Sequence, residues 1–317
     1  MITPQIQSAW PQTISVIGAA GLVGSTVAAQ LATHGIGETI HLQDRKENLL
    51  EAHRIDQVNA QTVLGLDRPR LVTGPPEGSV DLVIMAASLP EDPEHDRRDF
   101  LARNAGLLGS LAPLLWHQVG ENGLLLLLTN PVDILADWLH RAHGFSRDRL
   151  IGYALNDSAR LRQAIAHELG VATSAVEAMV LGEHGKGQVP ILSRATVYGQ
   201  LIEWSERSIT RVLDDVDGWF ARYSSLKAGR SSGWATGHGV AHLVRSLAAG
   251  HQMVTTASTY GLDLSPETFV ALPTRLEGGR AKAELPPVSK HELAQLQSSA
   301  ASIRETSTSI FRDKDSS

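Results

Sequence analysis

The chain has 317 residues, 42% hydrophobic and 20% charged, the balance of a soluble globular protein of about two domains. It contains no cysteine, which excludes a disulfide scaffold, a thiolate metal site and a catalytic thiol. Its net charge of −6 lacks the basic footprint of a nucleic-acid binder, so an anionic ligand must be met by local positive charge.

The apolar pattern predicts a strand over 13–18, a helix over 25–34, a strand over 39–44 and a charged helix over 45–60. A short strand near 71–73, a buried strand over 80–87, a helix over 97–119 and a buried strand over 123–129 follow. Strands that alternate with helices, and are apolar throughout, indicate a parallel sheet covered on both faces. Beyond about Gly152 the pattern changes. It predicts a helix over 157–169, a short strand over 178–181, and two long helical stretches over 196–224 and 234–250. Antiparallel strands near 269–276 and 281–285 and a last helix over 290–306 complete a second, α+β part. No apolar run approaches the ~20 residues needed to cross a bilayer. The first eleven residues carry no basic-then-apolar signal pattern, so a cytoplasmic protein without a membrane partner is expected.

Gly18, Gly21 and Gly24 lie between the first strand and its helix. In such a turn the first glycine permits the bend, the second lets backbone approach a pyrophosphate, and the third lets the helix pack on the sheet. The first helical amides, at Leu22 and Val23, then face the phosphates. Asp44 ends the next strand, where a carboxylate accepts from both ribose hydroxyls and repels a 2′-phosphate. That favours NAD over NADP, with Arg45 slightly weakening the preference. The alternative is a plain glycine turn.

Four further segments follow in order: Arg97-Arg-Asp-Phe-Leu-Ala-Arg-Asn104, Thr129-Asn130-Pro-Val-Asp133, Asn156-Asp157-Ser-Ala-Arg160-Leu-Arg162, and Gly182-Glu-His184-Gly185-x-x-Gln188-Val-Pro190. Together with the glycine turn they resemble the lactate/malate dehydrogenase family of 2-hydroxy-acid dehydrogenases over nearly the whole chain. The resemblance implies an α/β protein: an N-terminal Rossmann domain with a doubly wound parallel sheet over 1–152, and a C-terminal α+β catalytic domain over 153–317. It implies NAD as cofactor, no metal, a small 2-oxo or 2-hydroxy acid as substrate, and a homodimer or homotetramer.

The resemblance also implies roles. His184 is the acid/base that exchanges a proton with the substrate oxygen, since imidazole both gives and takes a proton near neutral pH. Asp157 pairs with it, holding the tautomer and stabilising imidazolium. Arg160, on the same helix face, grips the substrate carboxylate with its guanidinium fork. Arg97 polarises the carbonyl once a loop closes. Asn104 and Asn130 bind on the cofactor side, Asn130 also near the substrate, and Ser232 supplies a pocket hydroxyl. Each has a plainer alternative: a loop histidine, a first-turn acid, a surface arginine, or a turn before proline.

Two positions depart from the family. Six residues before Arg97, where malate enzymes carry Arg and lactate enzymes commonly Gln, stands Glu91. Facing a dicarboxylate at about 4 Å, it would be repelled by roughly 4 kcal/mol at an effective dielectric near 20. Lys186 stands where the family usually has Asp. Glu91 pairs with Lys186, recognises a basic group on the substrate, or points to solvent; the substrate is then an unusual 2-oxo acid, an amine-bearing one or its cyclic imine, or ordinary lactate or malate. A hydrolytic relative of the fold, the family 4 glycosidases, needs a metal held through Cys and His, and cysteine is absent. A non-catalytic NAD-binding protein would require the histidine, aspartate and arginines to fall apart in space.

Overall fold

The computed structural model describes residues 10–89, 97–228, 232–249 and 255–314, with the backbone only at 97, 98 and 311–314. Six parallel strands form its first part: β1 (Thr13–Ile17), β2 (Thr39–Gln43), β3 (Arg70–Thr73), β4 (Leu82–Met85), β5 (Leu124–Leu127) and β6 (Leu150–Tyr153). Their order is β3-β2-β1-β4-β5-β6. β4, β5 and β6 are buried at every residue, as apolar strands covered on both faces must be. Ile17 lies level with Gln43 on one side and Met85 on the other, so the carboxyl ends of β1, β2 and β4 share one edge. The order reverses between β1 and β4, which opens a crevice at that edge.

Helices cover both faces. On one side α1 (Leu22–Thr33) and α7 (Trp234–Ala248) bury Val27, Leu31, Val240 and Val244 against Ile14, Ile84 and Leu126. On the other, α3 (Arg97–Val119), α4 (Val132–His143) and α8 (Lys290–Lys314) pack Leu108, Trp138 and Ile303 against Leu125 and Leu127. α2 (Glu47–Val63) contributes Leu50 to the core but leaves Leu49, Ile55 and Val58 exposed.

The second part continues the same sheet. β12 (Thr255–Gly261) pairs antiparallel with β6, Ser258 opposite Gly152, and β13 (Thr268–Glu277), β14 (Arg280–Ala283), β8 (Val180–Gly182) and β9 (Gln188–Pro190) extend it to 11 strands. Gly152 makes the join possible, because a Cβ there would lie 2.6 Å from Val132 and 2.8 Å from Ser258. A separate small core joins α5 (Leu155–Leu169) to α6 (Glu206–Ser225) through Leu161, Ile165, Val212 and Val216.

The predicted helix over 196–224 is corrected at its start. β10 (Thr196–Val197) and β11 (Gln200–Leu201) form a hairpin with β7 (Val176–Glu177) beside it. Its two turn residues, Tyr198 and Gly199, both have positive φ, 50° and 75°, the conformation that matches strand twist in a two-residue turn. The helix begins only after Ser205, whose hydroxyl caps it by accepting from the Ser208 amide at 3.1 Å. Sequence pattern also misses α4, β6 and β12 and stops α8 short of Lys314.

Candidate active site

Gly18 leaves β1 with φ +91°, and a Cβ on it would lie 2.4 Å from the Ala87 nitrogen beyond β4. A Cβ on Gly24 would lie 2.1 Å from the Gly18 carbonyl, so only glycine lets α1 pack this close. Gly21 differs: its nearest neighbour would be 3.4 Å away, and the space above it is open. Gly21 is the N-cap of α1 and carries no side chain to satisfy the first turn, so the amides of Leu22 and Val23 present donors to that space. Asp44, directly after β2, accepts from the Ala20 amide at 3.2 Å and the Lys46 amide at 3.1 Å, which holds its carboxylate against the turn. Helix-end amides beside a bare glycine, with a carboxylate next to them, fit the pyrophosphate and ribose diol of a dinucleotide.

The catalytic candidates converge from three elements. Asp157 and Arg160 lie in the first two turns of α5, which starts immediately after β6. His184 lies in the loop between β8 and β9. Its Nδ1 is 2.5 Å from Asp157 Oδ2, while Arg160 Nη1 donates to Asp157 Oδ1 at 2.9 Å. One carboxylate thus bridges both functional side chains. Asp157 is 5% exposed and His184 25%, so the acid is enclosed and the imidazole reaches the surface of the site. No hydrogen bond engages His184 Nε2 among the described residues, which leaves it for proton exchange.

The histidine loop is clamped from both sides. Asp133, in the first turn of α4, accepts the His184 backbone N–H at 2.7 Å through Oδ2. The Glu183 N–H donates to Ser299 Oγ at 2.8 Å from α8. Gly182 and Gly185 flank the loop with φ of +88° and +110°, backbone that only glycine adopts without strain.

Electrostatics follow from this geometry. Burial opposes charge on His184, but the Asp157 carboxylate, by its charge and its hydrogen bond, and then Asp133 outweigh it and raise the imidazole above its ordinary 6.5. Burial pushes the Asp133 carboxyl up. Burial also lowers the Arg160 guanidinium, with Asp157 acting the other way, yet arginine remains charged.

The other expected residues fall as follows. Asn130 is exposed at the carboxyl end of β5, before Pro131. Ser232 precedes α7, where a Cβ on its neighbour Gly233 would lie 2.7 Å from Leu22 Cγ, so this segment sits beside the glycine turn. Asn104 is turned inward: fully buried, its Oδ1 accepts from the Leu89 amide at 2.9 Å and Ser88 Oγ at 3.2 Å, and its Nδ2 donates to the Phe100 carbonyl at 3.2 Å. These bonds anchor the segment that leaves β4. Arg97 is the first residue of α3, but its side chain lies outside the described residues, as does Glu91. Lys186 is exposed, two residues from His184.

Three contributors escape sequence reasoning. Asp133 closes the Thr129–Asp133 segment, and an acid in the first turn after a proline is the signal that could have found it. The Tyr153 hydroxyl donates to Asn156 Oδ1 at 2.8 Å, and Asn156 Nδ2 donates to Thr236 Oγ1 at 3.1 Å on α7. Gly239 makes room for that phenol, since a Cβ there would lie 1.8 Å from its oxygen. Arg160 Cζ stands 3.7 Å over the Trp219 ring of α6. Nothing local in the sequence marks Trp219, whose partner Arg160 is distant in the chain, and Tyr153 shows its role only when the fold brings Thr236 and Gly239 to it.

A doubly wound sheet with this glycine turn and acid, joined to a histidine, aspartate and arginine in contact, defines a dinucleotide-dependent oxidoreductase. The lactate/malate dehydrogenase NAD-binding domain matches residues 12–152, and the lactate/malate dehydrogenase alpha/beta C-terminal domain matches residues 155–313. The chain belongs to that family and is an NAD-dependent dehydrogenase acting on a CH–OH group. It is 32% identical over 314 residues to L-lactate dehydrogenase B of Hordeum vulgare, covering 92% of this chain and 89% of that one. It is 30% identical over 311 residues to malate dehydrogenase of Thermoproteus tenax, covering 94% and 98%. Among solved structures, malate dehydrogenase from Salinibacter ruber superposes with TM-score 0.84 at 25% identity, over 96% of this chain and 99% of that one. Lactate and malate enzymes match at similar identity. No helix among the described residues is long and apolar enough to cross a membrane.

Proposed function

We propose that the chain interconverts a 2-oxo acid and its 2-hydroxy acid, with a specificity other than that of ordinary malate dehydrogenase. The observation that carries the 2-oxo acid chemistry is the Asp157 carboxylate held between His184 at 2.5 Å and Arg160 at 2.9 Å, while the specificity rests on Glu91 in the sequence. Gly18, Gly21, Leu22, Val23 and Gly24 hold the pyrophosphate of NAD, Asp44 its ribose, and Asn130 its nicotinamide side. The bound nicotinamide supplies or accepts the hydride. His184 gives the substrate oxygen a proton in reduction and takes it back in oxidation, and Asp157 stabilises the imidazolium in between. Arg160 uses its remaining N–H groups on the substrate carboxylate. Arg97 meets the developing alkoxide charge, Ser232 lines the pocket, and Asn104 anchors the loop that brings Arg97 in.

Glu91 disfavours a second substrate carboxylate by like-charge repulsion. It equally favours a substrate bearing an amine, or the cyclic imine such a 2-oxo acid forms. The protein works in the cytoplasm as a homo-oligomer; the exposed apolar Leu49, Ile55 and Val58 on α2 support association. The deciding experiment follows NADH and NADPH oxidation with diacidic, neutral, aromatic and amine-bearing 2-oxo acids. Turnover of a non-diacid with NADH is expected. Preference for the diacid removes the specificity reading, and turnover of none removes the function.

A further inference from the structure

We infer that Trp219 is a positioning residue for the substrate carboxylate: its indole face sets the plane of the Arg160 guanidinium. This rests on the reading of Arg160 as the carboxylate anchor. Arg160 binds Asp157 through Nη1 at 2.9 Å. A single hydrogen bond locates one corner of the guanidinium but leaves its plane free to turn about that bond. A fork that must meet two carboxylate oxygens depends on that plane. The Trp219 ring, with Arg160 Cζ 3.7 Å from its centroid, removes the remaining freedom. Arg160 is only 19% exposed, and removal from water strengthens a cation–ring contact.

The indole is held by its neighbours. Tyr223, one helical turn on, stacks against Trp219 with centroids 5.3 Å apart and planes 12° from parallel. Val212 and Val216 of α6 are buried against Leu161 and Ile165 of α5, the helix that carries Arg160. Asp217 accepts from Gln188 Nε2 at 3.3 Å, which ties α6 to β9, the strand leaving the His184 loop. α6 is therefore fastened to both elements of the catalytic cluster, with Trp219 two residues beyond Asp217. A flexible or aliphatic side chain at 219 would leave Arg160 charged and in place but free to rotate, so the loss falls on substrate binding.

The test measures binding of oxamate, a non-reducible isostere of a 2-oxo acid, to the NADH complex by calorimetry, alongside KM for the 2-oxo acid and NADH and the melting temperature. Trp219→Leu is expected to weaken oxamate binding and raise the 2-oxo acid KM by about ten-fold, with the NADH KM within about two-fold of wild type. Trp219→Tyr and Trp219→Phe, which keep a ring, should recover most of the affinity, Tyr no worse than Phe. Unchanged oxamate binding in Trp219→Leu overturns the inference. So does a parallel rise in both KM values with a lower melting temperature, or failure of both ring-bearing variants to recover. If Trp219→Leu does not fold, equal affinity of the Tyr and Phe variants to Trp219→Met overturns it. Arg160→Gln separates the two readings: if it retains full oxamate affinity, the anchor assignment itself is wrong.

Discussion

Asp133 accepts the backbone N–H of His184 at 2.7 Å, while Asp157 holds the same residue's ring at 2.5 Å. His184 is thus held by two carboxylates from two different helices, one setting where its main chain sits and the other how its imidazole turns and charges. Asp133 and Asp157 are both buried, and both favour the imidazolium form.

The first prediction concerns pH. Because the His184 pKa is raised above 6.5 in the folded protein, its interaction with Asp157 contributes stability that is complete below 6.5 and lost as pH rises through the raised value. Reduction needs the protonated ring, so its rate should hold above pH 6.5 and then fall, while oxidation should rise over the same range. Asp157→Asn removes the main charge that raises the pKa. Its reduction limb should move to lower pH and kcat/KM fall by about 100-fold or more in a pH–rate profile.

Asp133→Ala removes the acceptor of a part-buried N–H, which costs about 1 kcal/mol and should appear in chemical denaturation. Asp133→Asn keeps an acceptor but removes the charge. It should melt close to wild type while kcat falls more than the NADH KM changes, because a charge favouring the His184 imidazolium is lost and the cofactor turn is untouched.

The glycine turn separates folding from binding. Gly24→Ala places a methyl 2.1 Å from the Gly18 carbonyl and should force α1 away from the sheet, with a lower melting temperature and weak NADH binding. Gly21→Ala meets nothing closer than 3.4 Å and should fold normally, yet lose NADH affinity because the methyl enters the space the pyrophosphate needs. Thermal melts beside NADH fluorescence titrations would show the two losses uncoupled.

Asp44→Ser should shift coenzyme preference. Removing the carboxylate lifts the repulsion toward a 2′-phosphate and takes away an acceptor for the ribose hydroxyls, so kcat/KM with NADPH should rise and that with NADH fall. Steady-state kinetics with both coenzymes checks the sign.

Much of the site is legible in the amino-acid sequence because its chemistry lies in short segments. The glycine turn is exposed by its spacing between a strand and a helix, Asp44 by its place at the end of the next strand, and Asp157 and Arg160 by the short segment that resembles the family. His184 is legible only through its flanking Gly182 and Gly185, which supply the left-handed backbone its loop requires. Asn104 marks a limit of segment resemblance: the resemblance places it on the cofactor side, and the fold buries it with its Oδ1 accepting from the Leu89 amide. The hairpin at Tyr198 and Gly199 marks another, since a two-residue turn is a weak signal inside a run of mixed residues.

By itself the sequence determined the alternation of strand and helix and the nucleotide turn, because these depend on local periodicity and backbone freedom, and its family resemblance supplied the candidates for acid, base and anchor. Tertiary structure decided which distant groups they meet. It placed Asp133 under His184, Trp219 over Arg160 and Gly239 against Tyr153, and it joined β12 to β6 so that both halves share one sheet. Such contacts span tens to hundreds of residues of chain. They arise from packing volume and hydrogen-bond satisfaction summed over the whole core, which no short stretch of sequence encodes.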